Sequence, residues 1–169
     1  DLRNIGKNLQ DHLGIDYLFK IKEKSLNREL GSWRGCAKAL LRYVAFRSGP
    51  FSLSVNQSGG FVNWKSRNRW PNIQLYFNPL TYSVNHKPRK RQLLRPDRFD
   101  GFAIGFQPCR PASRGEIKIQ SADPLIPPLI DPNFLDSKQD LHDVMAGIEC
   151  IEKILEDNNL KSIIVEPKT

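Results

Sequence analysis

The sequence predicts an α+β fold with a mainly antiparallel β-sheet and flanking helices. Several segments alternate apolar and polar residues with the period of two that strands show, and two longer segments carry apolar residues at helical spacing. The elements follow one another as strand, helix, several strands, helix, the order typical of this class. The chain has 169 residues, 39% hydrophobic and 26% charged, which suffices for a domain with its own core.

The chain begins with a polar turn that leads into a strand. Residues 4–12, NIGKNLQDH, include Gly6, which tolerates a positive φ, and the side chains of Asn8 and Asp11, which can bond the local backbone. We therefore expect a compact, hydrogen-bonded turn. Residues 13–21 are rich in aromatic and β-branched side chains, which predicts a strand.

The next predicted element is a helix. Ser32 can cap its amino terminus, and residues 48–50, Ser-Gly-Pro, end it. Its apolar residues recur at helical spacing, so we expect them to pack in the core. They are Trp33, Ala37, Leu40, Leu41 and Val44.

Further strands are predicted in the middle of the chain. The pair Gly59-Gly60 lets the backbone approach a neighbouring strand or a ligand, and a strand is the commoner reason. Residues 73–77 alternate as a strand does. The apolar run 102–106 and the alternating segment 116–120 are expected to pair as a hairpin across a proline-bounded loop.

A proline-rich connection leads to the second predicted helix. Prolines between residues 123 and 132 make this connection stiff. Ser137 can cap the helix, with Asp140 in the place of the Glu or Gln of a capping box, and residues 158–159 end it. Residues 163–165 begin a further element. The expected buried face of the helix is Leu141, Val144, Met145, Ile148, Ile151 and Leu155.

Charge and cysteine content narrow the function classes. The net charge of +8 permits an anionic partner, and its densest run, Lys87 to Arg95, is more often a solvated loop than a phosphate site. Cys36, Cys109 and Cys150 lie far apart, so a metal site is not expected, and their sparse, odd number favours a reducing, cytoplasmic location. No apolar run approaches the roughly 20 residues of a membrane span.

The spacing of potential catalytic residues in the chain does not identify a reaction by itself. His12, His86 and His142 are isolated from one another and from any nucleophile at a telling distance. Each histidine, taken alone, is more often structural or solvated than catalytic. The phosphate-binding patterns G-x-G-x-x-G and G-x-x-x-x-G-K-[ST] do not occur.

A family resemblance extends the interpretation. Residues 5–12, IGKNLQDH, resemble the VGxNLQDH signature of the glucose-methanol-choline oxidoreductase family, flavoenzymes that include choline and alcohol dehydrogenases. Later segments resemble the middle region of that family and occur in the same order. These segments are 46–50, 71–74, 110–119, 121–124 and 127–135, followed by Asp140.

The resemblance implies which part of a two-domain enzyme this chain forms. Family members join an FAD-binding domain to a substrate-binding domain whose antiparallel sheet, like that of FAD-linked reductases, covers the flavin. Residues 1–12 would end the FAD-domain region, and residues 13–169 would be a substrate-binding domain that is incomplete at its carboxyl terminus. The ADP-binding fingerprint would precede residue 1 and the catalytic histidine would follow Thr169, so these residues alone would be inactive.

The resemblance also implies the site. Asn8 and His12 would contact FAD, and His12 would also face the substrate pocket with Gly14, Asn56, Gln57 and Tyr76. Gly14 stands where choline-oxidising relatives have an acidic residue, so a neutral alcohol is the expected substrate. The expected partners are that alcohol and the FAD-binding domain, with no nucleic acid, no transmembrane segment and no metal. The alternative is a non-catalytic basic module that contacts an anionic partner through Lys87 to Arg95.

Overall fold

A computed structural model of the protein describes residues 4–54, 56–66, 69–82 and 95–168. In chain order its strands are β1 (Lys7–Leu9), β2 (Ile15–Ile21), β3 (Ser58–Val62), β4 (Ile73–Asn78), β5 (Gly101–Pro108), β6 (Gly115–Lys118), β7 (Leu129–Asp131) and β8 (Ile164–Lys168). Its helices are α1 (Leu26–Leu30), α2 (Trp33–Phe46), α3 (Lys138–Leu155) and α4 (Asn158–Ile163), with a 3-10 turn at Pro50–Ser52.

The strands form two antiparallel sheets, which confirms the predicted α+β class. One sheet has the order β1-β6-β7 and the other the order β3-β4-β5-β2-β8. The chain divides into two compact units. The first unit comprises Asp1–Ile15, Phe61–Gln74 and Phe106–Cys150, and the second comprises Asp16–Gly60, Leu75–Gly105 and Ile151–Thr169.

The first unit is built around α3 and the end of β5. The Phe106 ring is fully buried against Gly147 of α3, where an added Cβ would lie 2.1 Å from the ring atom Cε2. Asn72 forms a buried polar link, because its amide donates to Asp143 at 2.9 Å and its side-chain oxygen accepts from the Trp64 amide at 2.9 Å. These contacts join the segment before β4 to α3.

The second unit has an aromatic core and a buried polar knot. The ring of Phe102 lies 5.2 Å from that of Phe19 and 5.5 Å from that of Phe77, measured between centroids. The knot is the side chain of Asn27, which is 2% exposed, donates to the Thr81 carbonyl and hydroxyl oxygens at 3.0 and 2.9 Å, and accepts from the Thr81 amide at 2.9 Å. This side chain fixes α1 on the turn after β4.

The predicted hairpin is wrong. Strand β5 belongs to the five-stranded sheet, whereas β6 pairs with β1 and β7, with Glu116 opposite both Lys7 and Asp131. The segment between β5 and β6 is held by the carboxylate of Asp140, which accepts from the Ala112 and Ser113 amides. After β5 the chain therefore leaves the five-stranded sheet instead of turning back on it, and the proline-rich connection contributes β7 to the three-stranded sheet.

The first predicted helix forms as α2, but the prediction that its apolar stripe packs in the core is wrong. Ser32 caps α2 by accepting from the Gly35 amide at 3.0 Å, and Arg47 ends it in the left-handed region at φ 49°. Ala39 is the buried residue of this helix. The apolar stripe is exposed, with Trp33 at 76%, Leu41 at 70% and Val44 at 63% of the maximum. Helical spacing identifies an apolar face but not whether another element covers it.

The second predicted helix forms as α3, and its buried face differs from the predicted one. Val144 and Ile151 are buried as expected, but Leu141 and Met145 are half exposed, because α3 buries its small and acidic residues instead. Ser137 accepts from the Gln139 amide, as a cap does, whereas Asp140 does not complete a capping box. Residues 158–159 do not end the helical region either, since Asp157 caps a new helix, α4.

The remaining strand predictions are confirmed. Strands β2 and β4 cover the predicted segments, and the predicted element after residue 163 is β8. Gly6 adopts a positive φ of 80°. At Gly59 an added Cβ would lie 2.4 Å from the Leu75 carbonyl oxygen, so this glycine admits a neighbouring strand.

Candidate functional site

In the first unit, a cleft forms beside His12. Before His12, strand β1 contains Asn8 in the left-handed region at φ 66°. The Asp11 carboxylate accepts from the His12 amide at 2.8 Å. The His12 Nδ1 atom lies 2.8 Å from the Pro108 carbonyl oxygen. Because a carbonyl can only accept, Nδ1 carries a hydrogen, and Nε2 is the ring nitrogen left to meet another group.

Two arginines shape the walls of this cleft, which has a volume of about 360 Å³. Arg110 donates to the Pro71 carbonyl at 2.8 Å, and Arg114 donates to the carbonyls of Pro111 and Ser113 at 2.8 and 2.9 Å. These anchors leave positive charge at the cleft, which suits an oxygen-rich or anionic group. Its lining residues are Gln10, Asp11, His12, Cys109, Arg110, Pro111 and Arg114.

The surroundings of the Cys109 thiol do not favour its action as a nucleophile. Burial raises the pKa of its thiol, Arg110 opposes that shift, and the Asp143 carboxylate adds to it. The thiol therefore stays protonated at neutral pH, and a thiolate mechanism is not supported.

The wall of the His12 cleft depends on Asp140, a residue that sequence patterning assigned to helix capping. Its carboxylate is 4% exposed and accepts from the Ala112 amide at 2.6 Å and the Ser113 amide at 2.8 Å. Burial alone would raise the pKa of Asp140, but these hydrogen bonds outweigh burial and lower it. Asp140 is therefore ionised and holds the loop that carries the two arginines.

In the second unit, Tyr76 and Asp16 form a polar pair on one face of the sheet. Burial raises the pKa of the Tyr76 phenol, and the charge of Asp16 and its hydrogen bond with the phenol raise it further. The phenol therefore stays protonated and can donate to the carboxylate. Gly105 makes room for the pair, since an added Cβ would lie 2.1 Å from the Tyr76 ring and 2.3 Å from Asp16 Oδ1.

A cleft of about 250 Å³ opens beside this pair. Because side chains alternate along a strand, Tyr76 and Asn78 of β4 lie on one face, as do Asp16 and Leu18 of β2. Asn78 is 3% exposed, and its Oδ1 atom accepts no hydrogen bond from the residues that the structure describes. The lining residues are Asp16, Leu18, Asn78, Leu80, Thr81, Tyr82 and Ala103.

A larger cleft in the second unit is a weaker candidate for a catalytic or binding site. It measures about 540 Å³, and its lining combines apolar side chains such as Phe77 and Phe102 with the charged residues Lys24, Arg28 and Glu29. Arg28 is already paired with Asp100 at 2.7 Å. The cleft beside Tyr76 and Asp16 contains more polar side chains that can form further hydrogen bonds, so it is the better candidate for recognising a ligand.

The residues predicted to line the site lie in both units. Asn8, His12 and Gly14 are exposed in the first unit, and Asn56 and Gln57 are exposed in the second. The Gln57 amide donates to the Phe77 carbonyl at 3.0 Å, which places Gln57 beside the strand that carries Tyr76. The roles assigned to these residues stay predictions.

Sequence reasoning missed Asp16, Asn78 and Gly105. A usable signal existed for two of them, since Asp16 is a carboxylate within a strand pattern and Gly105 interrupts an apolar run. In the basic run Lys87 to Arg95, residues 87–94 lie outside the described residues, and Arg95 is exposed. Among the residues that the structure describes, no cluster of side chains suits a metal, and no helix is long and apolar enough to cross a membrane.

Comparisons with known proteins agree on one family. Residues 111–169 match the family model described as GMC oxidoreductase. The chain is 36% identical to an alcohol dehydrogenase (acceptor) of Pseudomonas putida, covering 88% of the chain and 26% of that protein. It is 31% identical to an oxygen-dependent choline dehydrogenase of Photobacterium profundum, covering 92% of the chain and 26% of that protein. The chain thus spans about a quarter of these curated relatives.

Solved structures agree on the fold. A structure of formate oxidase matches 96% of the chain and 32% of its own length with a TM-score of 0.76 at 20% identity. A formate oxidase of Aspergillus oryzae, with a mutation studied for its effect on FAD modification, matches with a TM-score of 0.75 at 20% identity and the same coverage. At this identity the likeness establishes the fold alone.

Proposed function

The chain belongs to the GMC oxidoreductase family, and from that premise we propose that it forms the substrate side of an FAD-dependent enzyme that oxidises a CH–OH group. The observation that carries the proposal is the 36% identity to an alcohol dehydrogenase over 88% of the chain. The polar cleft beside Tyr76 and Asp16 supports it, because such a cleft can orient a small alcohol.

FAD, when bound, would accept the hydride that leaves the alcohol carbon. The residues beside His12 would suit an oxygen-rich part of that cofactor. The imidazole leaves Nε2 to meet another group, and Arg110 and Arg114 bring positive charge that would suit a group rich in oxygen atoms. We assign Asn8 and His12 to the cofactor and place no proton transfer on the residues of this chain. The base that takes the hydroxyl proton is proposed to follow Thr169.

The proposal includes the arrangement of the whole protein. Residues 1–12 would end the FAD-binding region and residues 13–169 would belong to the substrate-binding domain. The residues proposed for the substrate pocket, on the family resemblance alone, are His12, Gly14, Asn56, Gln57 and Tyr76. A reducing, cytoplasmic location fits the three free cysteines.

Purification of the full-length gene product tests this function. We expect a flavin absorbance spectrum and alcohol-dependent reduction of an artificial electron acceptor. A polypeptide limited to residues 1–169 should show neither turnover nor tight FAD binding, and alcohol oxidation by that polypeptide would contradict the proposed division of labour.

The alternative, a basic module that contacts an anionic partner through Lys87 to Arg95, is not favoured by the comparisons, since the relatives are named as dehydrogenases. The same purification distinguishes the two functions. A full-length protein without flavin, whose binding to nucleic acid weakens steeply with salt, would exclude the oxidoreductase and support the basic module.

A further inference from the structure

Helix α2 presents an apolar stripe that the described residues leave uncovered. Trp33, Leu40, Leu41 and Val44 are each more than half exposed. With 3.6 residues per turn, these four side chains fall within an arc of about 100° around the helix axis. The buried residue of the helix, Ala39, lies on the opposite side. The stripe is therefore a continuous exposed apolar surface of the kind that receives a partner.

A row of basic side chains borders the stripe. Arg34, Lys38 and Arg42 recur every four residues, so they follow one side of α2, and all three are exposed. The Arg34 guanidinium lies 5.5 Å from the centre of the Trp33 ring, which joins the row to the stripe. The ion pairs of the described residues involve other cations. The charge of the row is therefore not neutralised by a described carboxylate.

Charge and apolarity together identify the chemistry of the partner. A helix with Trp, Leu and Val on one face and Lys and Arg beside them is typical of surfaces that bind at the boundary between lipid headgroups and acyl chains. Nucleic acid would use the basic row but would leave the apolar stripe in water. A second copy of α2 would offer the row no carboxylate, because residues 33–46 contain no Asp or Glu. Anionic lipid satisfies both features.

We propose that α2 is a membrane-docking surface, which binds the protein peripherally to bilayers that contain anionic lipids. The helix lies in the plane of the bilayer surface, with Leu41 and Val44 among the upper acyl chains and the basic row at the lipid phosphates. The cytoplasmic leaflet of a membrane is anionic, so this docking is compatible with the proposed cytoplasmic location. It goes beyond the oxidoreductase function and does not depend on it.

Cosedimentation of the full-length protein with lipid vesicles is the first test. One preparation contains phosphatidylcholine alone, and the other contains phosphatidylcholine and phosphatidylglycerol in equal parts. Each basic residue near an anionic surface strengthens binding about fivefold, so the row should raise the partition coefficient on anionic vesicles about a hundredfold. Salt screens this attraction, so the difference should shrink at high ionic strength. Equal binding to both preparations, or binding to neither, would overturn the proposal.

Charge variants show whether α2 is the surface that binds. A triple variant with Arg34→Gln, Lys38→Gln and Arg42→Gln should lower the partition coefficient on anionic vesicles about a hundredfold. A matched control removes the same total charge from exposed lysines elsewhere and should lower it by less than about fivefold. The control substitutions are Lys118→Gln, Lys138→Gln and Lys161→Gln. Equal losses in the two triple variants would show that net charge and not α2 binds the lipid, which would refute the site.

Apolar variants show whether the stripe enters the bilayer. Leu41→Ser combined with Val44→Ser keeps every charge but removes two apolar side chains, so the partition coefficient should fall about tenfold or more. Ile119→Ser combined with Leu125→Ser, at positions that are both 86% exposed in the first unit, is the control and should leave it unchanged. Wild-type binding by the Leu41 and Val44 double variant would refute insertion of the stripe.

Sedimentation velocity without vesicles distinguishes the other occupants of the stripe. We expect the wild type and both α2 variants to be folded and to have the same oligomeric state. Dissociation of an oligomer, or loss of folded protein, in both variants would assign the stripe to a second copy or to another segment of the chain and would overturn the proposal. Binding to duplex DNA without binding to vesicles would assign the row to nucleic acid. Absence of flavin would refute the oxidoreductase function and leave the vesicle measurements valid.

Discussion

Replacing Asp140 should loosen the loop that carries the arginines of the His12 cleft. The carboxylate accepts two backbone hydrogen bonds at 2.6 and 2.8 Å and is 4% exposed. A hydrogen bond to a charged group contributes about 1.5 to 3 kcal/mol, so Asp140→Ala should destabilise the protein by about 3 kcal/mol. Asp140→Asn keeps one oxygen acceptor and should destabilise it by about half as much.

The effect should depend on pH, because the pKa of Asp140 is lower in the folded protein than in the unfolded chain. Its contribution is complete above the unfolded pKa of about 4 and is lost as the pH falls through the folded pKa. The stability difference between wild type and Asp140→Asn should therefore be constant near neutral pH and shrink below about pH 4.

Urea denaturation of the full-length protein at several pH values measures this difference. Asp136→Asn, at an exposed carboxylate of the same unit, is the control and should stay within about 0.5 kcal/mol of wild type. If Asp140→Asn also stays within that range at neutral pH, the carboxylate does not hold the loop.

Two further substitutions test the packing of each unit, with stability measured as a urea midpoint. Gly147→Ala would place a methyl group 2.1 Å from the buried Phe106 ring, so overpacking of about 1 to 3 kcal/mol should exceed the gain of about 1 kcal/mol in helix propensity. Gly60→Ala meets nothing within 4 Å and should be neutral or slightly stabilising, so equal effects of the two substitutions would contradict the packing. Asn27→Leu should destabilise the protein by about 3 kcal/mol, since it removes the Asn27 partner of the buried Thr81 amide and hydroxyl; a change under about 1 kcal/mol would show that the polar knot contributes little.

Local signals of the sequence predicted the elements well. Helix α2 begins where Ser32 indicates, and the alternation of residues 73–77 corresponds to β4. Pairing was harder to predict, because β1, one partner of β6, lies near the start of the chain. Asp140, which holds the segment before β6, also resembled a helix cap. The burial of α2 was also mispredicted, since an apolar stripe such as that of Trp33 and Leu41 is compatible with either a core or an exposed face.

Part of the candidate site could be predicted. Tyr76 was proposed as a pocket residue from the family resemblance, and that role stays a prediction; the structure adds that its phenol lies beside Asp16. Asn78 could not be identified, because the absence of a hydrogen-bond partner is a property of the folded unit and leaves no trace in the sequence. His12 was identified through its motif, but the orientation of its ring depends on the Pro108 carbonyl, 96 residues away.

Anaerobic mixing of the full-length protein with an alcohol tests the central proposal most directly. We expect the visible flavin absorbance to bleach when alcohol is added, and to bleach more slowly when the carbon bearing the hydroxyl group carries deuterium, because that carbon transfers the hydride. A purified protein that contains no flavin would contradict the assignment to an FAD-dependent oxidoreductase acting on CH–OH groups. A flavin that stays oxidised with every alcohol added would contradict it as well.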